Sequence, residues 1–172
     1  TDNAGIGNDT ISGANGVFGS KFDDTITGSS GADFLLGGAG NDVIDGGSNP
    51  TLSVSQQGDR VDYFNSDSGV IVDLSTAANA TVGSGTAQDG FGGTDTLINI
   101  EDIRGSREFG DILTGDAGIN RIRGEGGDDI IRAGAGDDRL RGGAGADILD
   151  GGDGNDRVEY FSSAEGVTVN LA

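Results

Sequence analysis

Oxygen-bearing side chains recur in this chain at a fixed spacing that suits the binding of a cation. In the second half an aspartate or asparagine occupies every ninth position, in the series Asp111, Asn120, Asp129, Asp138, Asp147 and Asp156. Carboxylate, amide and main-chain oxygens are the ligands of hard cations, and a cation of calcium size takes about six to eight of them at roughly 2.3–2.6 Å. The spacing therefore predicts a row of calcium sites.

The chain lacks the residues on which most other site chemistries depend. It contains no Cys, His, Met or Trp. A thiolate or imidazole metal site, a cysteine nucleophile and a histidine general base are therefore excluded. Catalysis by two carboxylates with different pKa values stays open in principle, but the acids that stand in phase are already assigned to cation binding. We predict that the chain is not an enzyme.

The amino-acid composition argues against some classes of binding partner. Of the 172 residues 35 are glycine, and 29 acidic against 10 basic residues give a net charge of −19. Such a charge disfavours binding to nucleic acid. No stretch approaches the roughly 20 apolar residues of a membrane-spanning helix. Because so many carboxylates repel one another, a compact fold requires something that neutralises them.

Each aspartate of the series lies within a nine-residue repeat with the pattern Gly-Gly-x-Gly-x-Asp-x-apolar-x. The clearest copies are GDAGINRIR, GEGGDDIIR, AGAGDDRLR, GGAGADILD and GGDGNDRVE from Gly115, and GSKFDDTIT, GSSGADFLL and GGAGNDVID from Gly19. One apolar residue between two outward-facing residues is the shortest strand that buries a side chain. The glycines before it permit positive φ and a close approach of main-chain oxygens. Each nonamer is thus predicted to form a turn and a short strand.

This nonamer resembles the RTX, or haemolysin-type, calcium-binding repeat. The resemblance implies an all-β fold, a right-handed parallel β-roll with two short-stranded sheets. Two nonamers make one turn of such a roll, and several Ca2+ ions lie between turns that stack 18 residues apart.

The resemblance also implies the ligands, residue by residue. The carboxylate pairs would be Asp24 with Asp42, Asp111 with Asp129, Asp129 with Asp147, and Asp138 with Asp156, while Asn120 beside Asp138 would give a weaker site. The implied side-chain ligands as a whole are Asp9, Asp24, Asp33, Asp42, Asp59, Asp111, Asn120, Asp129, Asp138, Asp147 and Asp156. The implied main-chain donors are Gly28, Gly37, Gly40, Gly124, Gly126, Gly134, Gly136, Gly142 and Gly145.

A longer repeat organises the chain above the nonamers. The segment DRVDYFNSDSGVIVDL at 59–74 matches DRVEYFSSAEGVTVNL at 156–171. We expect one continuous solenoid with nonamer blocks at 1–47 and 105–159. Residues 48–104 would form irregular, widened turns with a looped-out excursion at 77–93, and residues 160–172 would begin the next widened turn. The other interpretation of 48–104 is a small separate sheet.

Five arginines are expected to share one sheet of the roll. If turns stack every 18 residues, Arg121, Arg139 and Arg157 lie side by side, and so do Arg123 and Arg141. We call these five residues the arginine stripe. Guanidinium groups suit planar anions such as carboxylates or sulfates. The other interpretation of the stripe is charge balance against the aspartate loops. The opposite sheet would carry Ile112, Ile130 and Ile148 at the equivalent positions.

The resemblance implies a secreted, extracellular module of Gram-negative bacterial origin, exported by type 1 secretion, that folds when it meets calcium outside the cell. It would act as a structural or stabilising part of a larger protein, with covalently adjoining domains. The alternative is a binding module for an anionic polysaccharide such as alginate, accessory to a polysaccharide-modifying enzyme. Repeat modules of mannuronan C-5 epimerases, which belong to the same family, assist the binding of alginate.

Overall fold

A computed structural model describes residues 14–48, 57–75 and 85–161. In these ranges the chain is all-β, with fifteen short strands in two sheets and no helix. No segment of the described ranges could cross a membrane as a helix.

The first sheet has seven strands, and all of its pairings are parallel. In spatial order they are β1 (Gly16–Phe18), β3 (Phe34–Leu36), β5 (Arg60–Asp62), β9 (Asp102–Arg104), β11 (Arg121–Gly126), β13 (Arg139–Ala144) and β15 (Arg157–Val158).

The second sheet has eight strands and one antiparallel interruption. In spatial order they are β14 (Ile148–Asp150), β12 (Ile130–Arg132), β10 (Ile112–Thr114), β6 (Ile71–Asp73), β7 (Gly85–Gln88), β8 (Thr94–Ile98), β4 (Val43–Asp45) and β2 (Thr25–Thr27). Strand β7 runs antiparallel to both of its neighbours, β6 and β8.

The strand register confirms the predicted parallel β-roll. Arg121 pairs with Arg139 and Arg139 with Arg157 in the first sheet, while Ile112 pairs with Ile130 and Ile130 with Ile148 in the second. Both series advance by 18 residues, which is two nonamers. Successive nonamers therefore contribute strands to alternate sheets, as the repeat implies.

The core is built around the inward-facing apolar residues of the strands, together with buried residues of the connections such as Tyr63, Val70 and Ile100. Leu113, Ile122, Ile131 and Leu140 are fully buried, and Leu149 and Val158 pack against them near the end of the described chain. The flanking residues of the same strands point outward because side chains alternate along a strand. One apolar residue per nonamer gives a thin core, so the fold depends on what happens in the turns.

The middle segment adds its strands to the same two sheets. The apolar runs 61–64, 70–74 and 96–100 correspond to β5, β6 and β8 with shifted ends. Within the excursion predicted at 77–93, residues 85–88 form strand β7, while 77–84 lie outside the described residues. A loop composition, Gly-Thr-Ala-Gln, becomes a strand here because β6 and β8 provide hydrogen-bonding partners on both sides.

Candidate metal centres

The turns between strands place main-chain oxygens in a regular array. Positive φ occurs at the second and fourth places of the nonamers, as at Gly134 (110°) and Gly136 (125°). Carbonyls at these places face the following turn, since a Cβ added at Gly152 would overlap the Gly134 oxygen and one at Gly154 the Gly136 oxygen. At Gly152 and Gly154 a side chain would therefore fill the space into which these carbonyls point, whereas Glu125 bears a side chain at the second place of its nonamer with φ 81°.

Carbonyls of the first place point the opposite way. A Cβ added at Gly105 would lie 2.9 Å from the Gly124 oxygen, and one at Gly124 would lie 2.9 Å from the Gly142 oxygen. Oxygens of an earlier turn and of a later turn thus converge on the space between them. Predicted donors of both kinds take part, namely Gly37, Gly40, Gly124, Gly134, Gly136 and Gly142.

Of the remaining predicted glycines, Gly28 lies at the first place and Gly145 at the fourth place of its nonamer, whereas Gly126 lies at the third. A Cβ at Gly28 would lie 2.8 Å from Asp33 Oδ2. One at Gly126 would lie 2.7 Å from the carbonyl oxygen of Arg107, and one at Gly145 would overlap that of Gly127. These positions border the carboxylates and carbonyls of the turns, so no side chain could be accommodated there.

The predicted carboxylate pairs are brought together by one repeated hydrogen bond. In each pair Oδ1 of the later aspartate accepts the backbone N–H of the earlier residue. The bonds are Asp24 N to Asp42 (2.8 Å), Asp111 N to Asp129 (2.9 Å), Asn120 N to Asp138 (2.8 Å), Asp129 N to Asp147 (3.1 Å) and Asp138 N to Asp156 (2.9 Å). This bond fixes the carboxylate and directs its second oxygen.

That second oxygen divides the turns into two groups. Oδ2 of Asp42, Asp129 and Asp138 is buried and receives no hydrogen bond from any described residue. A buried carboxylate oxygen without a donor is costly, because it has lost its water and gained no partner. An oxygen of this kind in a cradle of carbonyls is the arrangement that a bound cation would satisfy.

In the other group a serine satisfies the carboxylate. Asp24 Oδ2 accepts bonds from Ser20 N and Oγ (2.6 and 2.9 Å), and Asp33 Oδ2 accepts from Ser29 N and Oγ (2.5 and 2.9 Å). Ser106 bonds both oxygens of Asp111, its N–H donating to Oδ2 at 2.7 Å and its hydroxyl to Oδ1 at 2.8 Å. Sequence reasoning assigned all aspartates one role, but serine at the second place of a nonamer supplies a competing donor.

Asn120 also has its side chain engaged. Its Oδ1 accepts the N–H of Asp116 at 2.8 Å, and its Nδ2 donates to the carbonyl of Glu101 at 3.1 Å. The amide therefore closes its turn by itself, and the weaker site expected here stays a prediction.

Burial raises the pKa of carboxyls in the turns, both in turns without a serine at the second place, which we call open turns, and at the serine-bonded Asp111. The pKa of Asp129 rises to about 7, chiefly through burial and further through the charges of Asp111, Asp147 and Asp128, against the lowering effect of the Asp111 N–H. That of Asp138 rises to about 6 by burial, with a further contribution from Asp156. Burial also raises the pKa of Asp42, Asp111 and Asp147. The protein thus provides too few positive charges and hydrogen-bond donors near these carboxylates to balance their negative charge.

The donor set fits calcium. Among the described residues no three acidic side chains gather at one point. Each site must therefore combine about two carboxylates with main-chain carbonyls, and those are the groups that converge between turns. Calcium accepts such mixed oxygen shells readily. The chain contains no sulfur or imidazole ligand that would favour a softer metal.

Two further predicted residues behave differently. Asp59 is fully buried and its Oδ1 accepts the N–H of Asp33 at 2.8 Å, across a step of 26 residues rather than 18. Its own N–H donates to Glu101 Oε2 at 2.9 Å. The sequence pattern did not predict that Glu101 takes part in this contact. Asp9 lies outside the described residues. No periodic signal could have identified Glu101, because its contact depends on the widened turn.

Comparison with protein families agrees with this geometry. A family model of the RTX calcium-binding nonapeptide repeat matches four stretches, at residues 3–17, 18–49, 107–140 and 126–158. Together these stretches cover more than half of the chain. The chain belongs to this family. No curated protein matches it significantly.

Membership establishes the chain as an RTX calcium-binding module with structural character. Calcium is therefore its cofactor. The two matched blocks are the two runs of nonamers, whereas the segment with β6, β7 and β8 lies outside the matched stretches.

The arginine stripe forms a second distinctive surface, on the outer face of the first sheet. A pocket there is lined by Arg121, Arg123, Arg139 and Arg141, with Ile122, Glu159 and Phe161. Arg139 forms an ion pair with Glu159, and the Arg141 guanidinium lies 4.6 Å from the centre of the Phe161 ring. Burial, followed by the charges of Arg60 and Arg121, lowers the pKa of Arg123. The guanidinium groups are thus crowded and partly dehydrated.

The outer face of the second sheet carries a row of isoleucines. Ile71, Ile112, Ile130 and Ile148 lie side by side, and Ile71, Ile112 and Ile148 are 41%, 40% and 62% exposed. The two faces of the roll therefore differ, since one carries a row of arginines and the other a row of isoleucines.

Proposed function

We propose that the chain is a secreted module that folds when it binds calcium and then serves as a rigid structural part of a larger extracellular protein. The observation that carries this proposal is the set of buried carboxylate oxygens without donors at Asp42, Asp129 and Asp138. Calcium would satisfy them together with the carbonyls of neighbouring turns. We also propose that the nonamer blocks and the middle segment form one continuous solenoid.

The energetics support coupling between ion binding and folding. The chain carries a net charge of −19, and each nonamer strand buries one apolar side chain. Such limited burial offsets little of the conformational entropy lost on folding. Where a site exists only in the folded state, the free energy of ion binding becomes free energy of folding.

The ligands proposed for calcium are those expected from the repeat, ranked by the state of their second oxygen. Asp42, Asp129, Asp138, Asp147 and Asp156 belong to turns that have no serine at the second place. Asp24, Asp33 and Asp111 are held by serines, and Asn120 closes its own turn. We propose that the open turns bind calcium more tightly.

Far-UV circular dichroism tests the proposal. The chain in excess chelator should show the spectrum of an unfolded chain, and addition of calcium should restore a β spectrum reversibly. The same titration with NaCl at equal ionic strength controls for simple screening of charge. A β spectrum of equal intensity in chelator and in calcium would contradict the proposal.

The arginine stripe favours a second function, binding to an anionic extracellular polymer such as an acidic polysaccharide. Four guanidinium groups around one pocket, with an aromatic ring beside them, suit carboxylates or sulfates on sugar rings. Such binding would make the module an accessory to an enzyme that acts on that polymer. It requires the calcium-loaded roll, because the register of the stripe depends on stacked turns.

Retention on an acidic glycan column distinguishes binding from a purely structural role. The triple variant R121E/R139E/R141E should lose retention. Arg132→Glu on the exposed face of the second sheet is the control, since it adds the same kind of charge away from the pocket. Equal retention of the wild-type chain and the triple variant would rule out this function for the stripe.

A further inference from the structure

The junction between β4 and β8 contains an aspartate that the nonamer pattern does not include. Parallel pairing of Val43 with Thr96 places Asp95 on the turn that follows Asp42, where the next nonamer would have its aspartate. The N–H of Asp42 donates to Asp95 Oδ1 at 3.1 Å, which is the repeated bond of the other turns. By position, Asp95 is the expected partner of Asp42.

Asp95 differs from the aspartates of the open turns, however. Its Oδ2 accepts a hydrogen bond from the hydroxyl of Tyr63 at 2.9 Å, and both residues are buried. The oxygen that would turn towards a cation is therefore already bonded. The turn after Asp42 needs a carboxylate from elsewhere.

Asp89 is placed to supply it. This residue has no exposed surface, and its Oδ1 accepts three backbone N–H groups, from Phe91, Gly92 and Gly93, at 2.8, 2.9 and 2.8 Å. Three donors on Oδ1 fix the carboxylate group, and they therefore also fix the direction of the second oxygen, Oδ2. That other oxygen, Oδ2, is buried and meets no donor in the parts of the chain that the structure describes.

A main-chain oxygen borders the same space. A Cβ added at Gly93 would lie 2.7 Å from Asp89 Oδ2 and would overlap the carbonyl oxygen of Gly40. Gly40 stands at the fourth place of its nonamer, the place from which carbonyls face the following turn. Asp42, in the same nonamer as Gly40, also has a buried Oδ2 without a donor among the described residues.

We propose that Asp42, Asp89 and the Gly40 carbonyl form a calcium site outside the nonamer pattern, at the end of the first row of turns. This inference rests on the proposed function, since it takes calcium as the ion. Asp89 supplies the carboxylate oxygen in place of Asp95, because Asp95 Oδ2 is already bonded to the Tyr63 hydroxyl. If Asp89 only closed its own turn, Oδ1 would suffice and Oδ2 could face water, whereas Oδ2 is enclosed by protein.

Native mass spectrometry of the calcium-loaded chain tests the site by counting ions. Asp89→Asn keeps the size and the turn-closing acceptor but removes the charge, and it should hold one calcium ion fewer than the wild-type chain. Asp150→Asn is the matched control, because Asp150 also accepts an N–H two residues later but is exposed. It should hold the wild-type number. An equal count in Asp89→Asn would overturn the inference.

Asp95→Asn separates the two candidate carboxylates. It should keep the full count in our assignment, whereas loss of an ion in Asp95→Asn with none lost in Asp89→Asn would assign the role to Asp95 and overturn ours. A wild-type chain that binds no calcium at all would instead refute the proposed function.

A measurement on the wild-type chain covers the case in which a variant does not fold. Crystals grown with terbium in place of calcium should give an anomalous peak bordered by Asp42, Asp89 and the Gly40 carbonyl. Peaks between the nonamer turns with none at this position would overturn the inference while leaving the proposed function intact.

Discussion

At the scale of single residues, what distinguishes the turns is the second carboxylate oxygen. Asp129 and Asp33 occupy the same place in their nonamers, and both lie among buried groups. Ser29 bonds Oδ2 of Asp33, whereas Oδ2 of Asp129 has no donor in the described chain. We therefore expect the residue at the second place of the nonamer to determine how much a carboxylate gains from a cation.

Asp129→Asn should weaken calcium binding more than Asp33→Asn does. The first change removes charge from an oxygen that only a cation would satisfy, so we expect at least about a tenfold loss of affinity at one site, or about 1.4 kcal/mol. The second should cost clearly less at its own site. Isothermal titration calorimetry of both variants measures the difference, and equal losses would contradict the division of the turns.

The consensus aspartates, their spacing and calcium could be predicted from the sequence because each nonamer is a local unit. Asp89 could not, since it lies outside the period and its oxygen reaches the site only through the pairing of β8 with β4. The serine effect was visible in principle, because Ser20, Ser29 and Ser106 interrupt the glycine pattern at one place. It becomes interpretable only when the hydroxyl and the carboxylate are seen together.

At the scale of elements, the turns tolerate only glycine at certain places for two separate reasons. Gly136 has φ 125°, and a Cβ there would overlap the Gly118 oxygen and lie 2.8 Å from the Gly118 carbonyl carbon. Gly92 has φ 108°, but a Cβ there would meet nothing within 4 Å. Alanine variants at Gly136 and Gly92 therefore separate the effect of backbone strain from the effect of filling the space between turns.

Gly136→Ala should destabilise the calcium-loaded chain more than Gly92→Ala. Both variants bear the strain of positive φ, about 1–3 kcal/mol, but Gly136→Ala must also displace a carbonyl that faces the next turn. Chemical denaturation at saturating calcium compares their free energies of unfolding. A smaller or equal loss in Gly136→Ala would show that the carbonyl array is not required in this form.

The strands themselves were predictable where the nonamer repeats and less so elsewhere. One apolar residue at a fixed place predicted the buried Leu113, Ile122 and Ile131. Strand β7 has the sequence Gly-Thr-Ala-Gln, with one buried side chain, Ala87. Its conformation comes from pairing with β6 and β8 rather than from the preference of its residues, so no local pattern indicated it.

At the scale of the whole molecule, calcium-free and calcium-loaded chains should respond to pH in opposite ways. The raised pKa values, about 7 for Asp129 and about 6 for Asp138 against an ordinary 3.8, mean that the folded calcium-free chain binds more protons than the unfolded chain does. By linkage its stability is greatest below the unfolded pKa and is lost as pH rises from about 4 to about 7. Calcium binding requires the ionised form.

Acidification without calcium should therefore promote β structure, and calcium affinity should fall over the same range. We expect circular dichroism in chelator to show more β signal at pH 5 than at pH 7.5, and calorimetry to show weaker calcium binding at pH 5. Calcium affinity that is independent of pH between 5 and 7.5 would contradict the assignment of these buried carboxyls as ligands.

The reversed strand in the second sheet also constrains the order in which the roll can assemble. Strand β6 finds its parallel neighbour β10 only after 41 further residues, and β8 returns to β4 across 53. Folding that adds one parallel turn after another along the chain would pause at β7, because β7 runs antiparallel to both of its neighbours. We expect turns added from the two ends to meet at this meander, and its closure to be a slow step of assembly.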